Sequence, residues 1–335
     1  MTPPAATPPA ATPPAATPPA ATPPADPASA DPVPAIAVAG LTRKYRADLA
    51  LADVSFMVPS GTITGLLGRN GAGKTTLLRI LAGQEFPSSG SVRVLGAAPA
   101  ENEDVLRRLV FVREDQVYPE IKVGQALRAA SWFYPNWDSA LASSLLDDFG
   151  LRVNKAVKRL SRGQRSALGI TMGLAARAEV TLFDEPYAGL DAVARQVFYD
   201  RLLADFAEFP RTVLLSTHLI DEAAALFEGV IVIDRGRVVL DAPADILRGI
   251  ATRVSGPSLA VDALAAGRPV WERRRLGSQE SVVMVGPLSP GDREQARSSG
   301  LDLTPLSLQQ IVVQAAASVI APTAKAGFET ERTSA

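Results

Sequence analysis

The chain has 335 residues, 47% hydrophobic and 21% charged, which is typical of a globular protein. Its formal net charge of −1 gives no electrostatic reason to expect a nucleic-acid partner. The sequence contains no cysteine, which excludes disulfides, cysteine-ligated zinc, iron–sulfur clusters and thiol nucleophiles. No stretch approaches about 18 uncharged apolar residues, so we expect no membrane-spanning helix. The first residues lack a basic segment followed by an apolar core, so we expect no secretory signal.

Two tails flank the part that is predicted to fold. Residues 2–26 repeat the unit TPPAA four times and end with TPPAD. Paired prolines fix φ and remove backbone donors, and the repeat has too little apolar bulk for a core. The pattern therefore predicts a disordered, polyproline-II-like tail over residues 1–34. A second flexible tail is predicted over residues 319–335.

Strand-like and helix-like segments alternate over residues 35–250, which indicates an α/β domain. The first predicted segments are the buried strand TITGLL (62–67), the helix KTTLLRILAG (74–83) and the short strand SVRVLG (91–96). The region from about 100 to 175 is predicted to be a mostly helical insert. In it, Asp138 is placed to cap the helix of WDSALASSLLDDFG and Gly150 to end it. A second helix is predicted from Ser166 to Arg177.

Three later segments complete the predicted domain. EVTLFDEP (179–186) and RTVLLSTH (211–218) are apolar runs that end in polar residues, as buried parallel strands do at their carboxyl ends. GVIVIDRGRVVL (229–240) predicts a hairpin that turns at Arg235–Gly236. Beyond it, residues 251–318 predict a small α+β appendage, with strands in RPVWERR and ESVVMVG followed by two short helices.

The segment GLLGRNGAGKTTLL contains the pattern G-x-x-x-x-G-K-[ST] between a predicted strand and a predicted helix. Glycines allow backbone amides to converge on phosphate oxygens, and the helix N-terminus adds a positive dipole end. We expect Lys74 to bridge the β- and γ-phosphates and Thr75 to offer its hydroxyl to Mg²⁺. The predicted phosphate-binding residues are Gly68, Arg69, Asn70, Gly71, Ala72, Gly73, Lys74, Thr75 and Thr76. The loop alone does not separate kinases, GTPases and ATPases.

Two adjacent acids end the predicted strand VTLFD. An acid at a strand end can hold Mg²⁺, and a second acid beside it can take a proton from an attacking water. We therefore predict that Asp184 positions the metal and that Glu185 is the general base.

The segment LSRGQRSALGI, which starts at Leu160, resembles the LSGGQ signature of the ATP-binding-cassette (ABC) ATPases. Leu160, Ser161, Gly163 and Gln164 match the signature, and Arg162 replaces its first glycine. The order of phosphate loop, helical insert, signature, FDEP, YAGLD (187–191) and His218 is also similar to the family's. The resemblance covers roughly residues 36–247. It implies a P-loop NTPase core with an antiparallel β subdomain and a helical insert, to which the α+β appendage is added.

The resemblance also assigns roles to residues outside the loop and the two acids. Tyr45 is similar to the aromatic that stacks on adenine, and Asp191 to the loop acid that crosses the dimer interface. Ser161, Gly163 and Gln164 correspond to signature residues, of which the first two meet γ-phosphate. His218, the only histidine in the chain, matches the switch histidine that contacts γ-phosphate and helps Glu185 to orient water.

One family position is off pattern. A glutamine that senses Mg²⁺ usually follows the strand after the first helices, and here the segment is LVFVREDQVYPEI. Glu114 falls at that position if the strand is LVFV, whereas Gln116 comes two residues later. We favour Glu114, because a carboxylate can also bind Mg²⁺-bound water, and we leave Gln116 as the alternative.

The implied function is that of an ATP- and Mg²⁺-dependent ATPase subunit at the cytoplasmic face of a bacterial membrane. A separate permease and a second ATPase subunit, identical or paralogous, are the implied partners. The insert around 114–137 is the expected docking surface, with an aromatic cluster of Trp132, Phe133, Tyr134 and Trp137. Two alternatives are an ABC-type ATPase of repair, translation or chromosome maintenance, and a kinase that uses the phosphate loop alone.

Overall fold

The computed structural model describes residues 34–46 and 48–318. The predicted proline-rich repeat and the predicted C-terminal tail lie outside these residues. Among the helices that are described, none combines the length and the apolar character needed to cross a bilayer.

The described residues form thirteen strands and eleven α-helices. The strands are β1 (Ile36–Tyr45), β2 (Asp48–Val58), β3 (Ile63–Leu67), β4 (Ser89–Val94), β5 (Leu109–Arg113), β6 (Val180–Asp184), β7 (Thr212–Thr217), β8 (Gly229–Asp234), β9 (Arg237–Pro243), β10 (Ala251–Pro257), β11 (Val270–Leu276), β12 (Gln279–Val285) and β13 (Asp302–Pro305). The helices are α1 (Lys74–Leu81), α2 (Glu103–Leu106), α3 (Val123–Phe133), α4 (Ser139–Asp148), α5 (Arg162–Ala175), α6 (Ala192–Glu208), α7 (Ile220–Ala223), α8 (Ala244–Leu247), α9 (Ser258–Ala265), α10 (Pro290–Ser298) and α11 (Leu308–Ser318).

The central sheet has six strands in the order β5-β6-β7-β3-β8-β9. Its neighbours are parallel from β5 to β8, and only β9 pairs antiparallel. Every residue of β3, β6 and β7 is buried, which is what their continuous apolar runs predict for strands covered on both faces. The predicted α/β core is therefore confirmed, and the carboxyl ends of its parallel strands share one edge.

A three-stranded antiparallel sheet in the order β2-β1-β4 covers one side of this core. Ile36 and Leu51 of this sheet share one buried apolar cluster with Leu77 of α1 and Leu66 of β3. Because α1 follows the phosphate loop directly, this cluster holds the loop's helix against both sheets.

The helices α3, α4 and α5 form the insert, whereas β5, inside the same stretch, belongs to the central sheet. The Asp138 carboxylate accepts from the Leu141 amide and caps α4, as predicted. The predicted start of α5 at Ser166 is wrong, because the helix begins at Arg162. The Ser161 hydroxyl accepts from the Gln164 amide, and the Gln164 side chain returns to the Ser161 amide, so a capping box starts the helix earlier.

The hairpin of β8 and β9 turns where the sequence places it. Arg235 and Gly236 have φ of 46° and 74°, so both turn residues lie in the left-handed region that a two-residue hairpin favours.

The appendage is a four-stranded antiparallel sheet in the order β11-β12-β10-β13. Its chain order of strand, helix, two strands, helix and strand is that of a ferredoxin-like fold. The predicted strands β11 and β12 are confirmed, and α10 and α11 follow them. The sequence prediction missed β10, α9 and β13, because β10 buries only Ala251 and Val254 and β13 has four residues.

The apolar core crosses the predicted boundary near residue 250. Leu247 of α8, Val283 of β12 and Ile311 of α11 belong to the same buried cluster as Ile63 and Val213 of the central sheet. A second cluster, around Val254, Val282 and Leu264, lies within the appendage.

Candidate nucleotide site

The site lies at the edge where the parallel strands β3, β6 and β7 end. Register pairs Leu67 with Thr217 and Asp184 with Ser216, so these strands end side by side. A cavity of about 670 Å³ opens there. It is lined by Ala50, by Asn70, Gly71, Ala72, Gly73, Lys74, Thr75 and Thr76 of the phosphate loop, and by Glu114, Arg162, Asp184, Glu185, Tyr187, Ala188, Gly189, Leu190, Arg195, His218 and Leu219.

The phosphate loop requires glycine at its two ends. Gly68 has φ 155°, and a Cβ there would lie 2.2 Å from the carbonyl oxygen of Ile233. Gly73 has φ 109°, and its Cβ would lie 2.7 Å from the carbonyl oxygen of Ala50. The loop can therefore fold against its neighbours only without these side chains, and it leads directly into the N-terminus of α1.

Lys74 is buried at the first position of α1. Its Nζ donates to the carbonyl oxygens of Gly68 (2.8 Å) and Arg69 (3.3 Å) and lies 3.7 Å from Oε1 of Glu185. Gly68 and Arg69 do not line the cavity, and their carbonyl oxygens hold the lysine ammonium. The ammonium group sits between the loop and the predicted general base.

Asp184 is the last residue of β6 and is buried. Ser216 Oγ of β7 donates to its Oδ1 at 2.8 Å, which fixes the carboxylate at the sheet edge. Thr75 and Glu114 line the same cavity, so all three predicted metal-site residues border one space.

Glu185 follows in a left-handed conformation, with φ of 50°. Its amide donates to the Ser216 carbonyl oxygen at 3.2 Å, which turns the carboxylate into the cavity. Oε2 contacts Nδ1 of His218 and accepts from the Tyr187 hydroxyl at 3.3 Å. Oε1 is buried and has no hydrogen-bond partner among the described residues. Two of the predicted catalytic side chains, those of Glu185 and His218, are therefore in direct contact, and His218 is half exposed to the cavity.

Comparisons with known proteins agree with this geometry. The family model described as ABC transporter matches residues 51–188. The aliphatic sulfonates import ATP-binding protein SsuB of Pectobacterium atrosepticum is 36% identical over 217 residues, which cover 64% of this chain and 79% of that protein. The phosphonates import ATP-binding protein PhnC 1 of Natronomonas pharaonis is 34% identical over 221 residues, which cover 63% of this chain and 95% of that protein. This chain belongs to the ABC transporter ATP-binding proteins.

The fold agrees with the same family. A solved ATP-binding subunit of an ABC transporter superposes with a TM-score of 0.58 at 28% identity, and the match covers 64% of this chain and 91% of that one. The chain is an ATP-binding and ATP-hydrolysing subunit of an ABC transporter, of the kind that pairs with separate membrane subunits.

The ABC signature residues lie beside the cavity without lining it, apart from Arg162. Ser161 caps α5, and Asp191 caps α6 by accepting from the Ala194 amide at 2.9 Å. A Cβ at Gly163 would lie 2.4 Å from the carbonyl oxygen of Gly189, so close packing against the YAGLD loop already requires glycine there. Helix capping by Ser161 and Asp191 and close packing at Gly163 thus give each of these residues a structural role, besides any contact with nucleotide.

The two candidates for the glutamine position, Glu114 and Gln116, lie in different surroundings. Glu114 directly follows β5, lines the cavity and forms an ion pair with Arg162 of the signature. The Gln116 side chain accepts from the Arg113 amide at 3.4 Å and does not line the cavity. The geometry therefore favours Glu114, and the ion pair joins the two positions at which this chain departs from the family pattern.

Tyr45 is not brought into the lining of the cavity. The guanidinium of Arg43 lies 4.5 Å from the centroid of its ring, and its hydroxyl contacts Glu85. Its adenine-stacking role stays a prediction. Adenine would have to stack on the face of the Tyr45 ring that Arg43 does not cover.

The sequence reasoning missed several site residues, among them Tyr187, Ser216, Thr217 and Arg195. Ser216 and Thr217 end the apolar run of β7, and this change from apolar to polar was a usable signal. Arg195 of α6 lines the cavity, donates to the Leu190 carbonyl oxygen and forms a two-pronged ion pair with Glu222. No local pattern marks Arg195, since its partners lie on other elements.

Proposed function

We propose that this chain hydrolyses Mg-ATP at the cavity, with Glu185 as the general base and Lys74 and His218 as partners of the γ-phosphate. The contact of the Glu185 carboxylate with His218, opposite the Lys74 ammonium, carries this proposal. It supports the proposal because a carboxylate, an ammonium group and an imidazole border one space, as a proton acceptor, a phosphate-binding cation and a donor to γ-phosphate would.

The donor set fits Mg²⁺. Thr75, Asp184 and Glu114 offer one hydroxyl and two carboxylates, which are the hard oxygen ligands that Mg²⁺ prefers. Among the described residues, no three His, Cys, Asp or Glu side chains form a protein-only metal cage, and Mg²⁺ usually takes waters and substrate phosphates as its other ligands. When bound, the ion would supply positive charge to the phosphate oxygens.

The remaining chemistry belongs to the chain's own side chains. Lys74 would exchange the carbonyl oxygens of Gly68 and Arg69 for phosphate oxygens, because a phosphate carries more charge. Glu185 would accept the proton of the attacking water at its carboxylate. His218 would donate a hydrogen bond to the γ-phosphate and keep the water in line.

A second ATP-binding subunit completes the proposed site. Ser161, Gly163, Gln164 and Asp191 lie outside the cavity lining, which supports their use by a partner in a head-to-tail pair. The exposed N-terminus of α5, with Ser161 as its cap, is a suitable end for a phosphate held by the other copy. The near-zero net charge of the whole chain supports a function without nucleic acid.

The membrane partner is proposed to dock on the helical insert, at the cytoplasmic face of the membrane. Trp132 and Phe133 of α3 are 74% and 67% exposed, whereas Tyr134 and Trp137 pack against the core. Phe133 and Tyr134 also border an apolar groove of about 210 Å³. We propose that residues 35–250 form the ATPase domain that docks in this way and that residues 251–318 form a small α+β appendage.

A trapping experiment tests the proposal. Glu185→Gln should abolish turnover and keep ATP binding, so Mg-ATP should convert the full chain, alone or with its natural partner subunit, into a pair of twice the mass. Light scattering would measure this mass, with Lys74→Ala as the matched control that should stay single. A Glu185→Gln chain that still hydrolyses ATP, or that binds no nucleotide and stays single under both conditions, would contradict the proposal.

A further inference from the structure

Tyr187 occupies the position after the two acids and the proline of FDEP, and its side chain is almost fully buried. Its hydroxyl donates to Oε2 of Glu185 at 3.3 Å and also contacts Oγ1 of Thr217. It therefore touches both the proposed general base and the last residue of the strand that leads to His218.

The donors and acceptors around Tyr187 form a consistent chain. Thr217 Oγ1 accepts from the Leu219 amide at 2.9 Å, so its own proton is available for the Tyr187 oxygen. Burial, with the nearby charge of Glu185 as a smaller cause, raises the pKa of Tyr187 well above its usual range. The hydroxyl thus stays protonated and can donate a hydrogen bond to the carboxylate.

Few other contacts direct the carboxylate of Glu185. Its backbone is in the left-handed region, where a residue other than glycine persists only if its surroundings hold it. Oε1 has no hydrogen-bond partner among the described residues and lies 3.7 Å from Nζ of Lys74, which is proposed to turn to phosphate. The His218 that meets Oε2 is itself half exposed. The buried phenol is the rigid donor, because its ring packs against Tyr199 and lies near His218.

We propose that Tyr187 is a positioning residue that holds the Glu185 carboxylate toward the attacking water and links it to the strand end that carries His218. The inference rests on the proposed role of Glu185. Tyr187 itself does not act on the substrate, and its hydroxyl works through the carboxylate.

Tyr187→Phe tests this, because the variant removes the hydroxyl and keeps the ring. We expect kcat to fall about tenfold, the effect of losing one hydrogen bond to a charged group, while KM for ATP changes less than about twofold. ATP affinity measured by calorimetry in EDTA, where turnover stops, should be unchanged. Amide hydrogen exchange should quicken in residues 213–219.

Tyr199→Phe is the matched control. Tyr199 is also buried, its ring centroid is 6.3 Å from that of Tyr187, and its hydroxyl has no hydrogen-bond partner among the described residues. Its loss should leave kcat and KM unchanged.

Two outcomes would overturn the inference: an unchanged kcat in Tyr187→Phe, or an equal fall in Tyr199→Phe, which would indicate general packing. Glu185→Gln, measured in parallel, separates this failure from failure of the proposed function. An inactive Glu185→Gln beside a fully active Tyr187→Phe contradicts only the role of Tyr187.

Discussion

The central sheet and the appendage sheet are both well packed, yet they gather polar side chains differently. In the parallel sheet, β3, β6 and β7 end at one edge, so residues far apart in sequence meet there, among them Lys74, Asp184 and His218. In the antiparallel appendage, neighbouring strands end at opposite edges, and charges pair with neighbours, as Arg273 does with Glu280. Strand direction therefore explains why the proposed catalytic groups lie together in one part of the molecule.

The two regions meet beside His218. Asp221 of α7 accepts from the Gln309 amide at 3.2 Å and from the Ser307 hydroxyl at 3.1 Å, at the start of α11. Ile220 and Ile311 belong to one buried cluster. Since α7 begins two residues after His218, the appendage supports the segment that carries this residue.

The largest expected effect on ATP hydrolysis comes from a residue at the edge of the central sheet where β3, β6 and β7 end. Lys74→Ala should lower ATP hydrolysis by a factor of about 100 or more, because the cavity loses its buried cation and leaves Glu185 without it. Phosphate release measures the change. Lys122→Ala, an exposed lysine at the start of α3, is the control and should keep full turnover. Turnover by Lys74→Ala within a few-fold of the unaltered chain would mean that ATP hydrolysis does not depend on the residues gathered at this edge of the central sheet.

A smaller effect on ATP hydrolysis is expected from Ser216, which contacts the proposed Mg²⁺ ligand Asp184. Ser216→Ala removes the hydrogen bond to Asp184, so the carboxylate is less well fixed. The Mg²⁺ concentration needed for half-maximal hydrolysis should therefore rise about three- to tenfold. Titration of turnover with Mg²⁺ measures it, and binding of Mn²⁺ followed by electron paramagnetic resonance gives a second readout. Ser255→Ala, which loses a hydroxyl pair with Ser281 inside the appendage, should leave both readouts unchanged. If the two variants behaved alike, the contrast between the sheets would lose its support.

The same contrast explains what the sequence could predict. Parallel buried strands end in a recognisable local pattern, an apolar run followed by polar residues, so Asp184 and Glu185 were predicted from a single segment. The role of His218 was predicted only from the order of motifs that resembles the ABC family. The contact of Tyr187 with Thr217 depends on the register of β6 and β7, which no single segment records. The start of α5 was available from the pattern SRGQ, a capping box, but was not used.

The strands of the appendage are marked less clearly in the sequence. Strands β10 and β13 are short or half-buried and lack clear alternation, and the topology of the appendage depends on pairing between strands far apart in the chain. The sequence therefore predicted an α+β unit without its ferredoxin-like order. The contact of Asp221 with Ser307 joins residues 86 positions apart and could not be read from either segment.

The smallest expected effect tests that contact. Asp221→Ala removes the acceptor that caps α11 from outside, and such caps contribute about 1 kcal/mol. We expect turnover to fall about two- to threefold with unchanged ATP affinity, and amide exchange to quicken in residues 219–226, because the segment after His218 loses one of its supports. Asp245→Ala is the control, since this exposed carboxylate pairs with Arg248 in its own helical turn. Equal turnover and equal exchange in the two variants would mean that the appendage packs against the ATPase domain without steadying its switch segment.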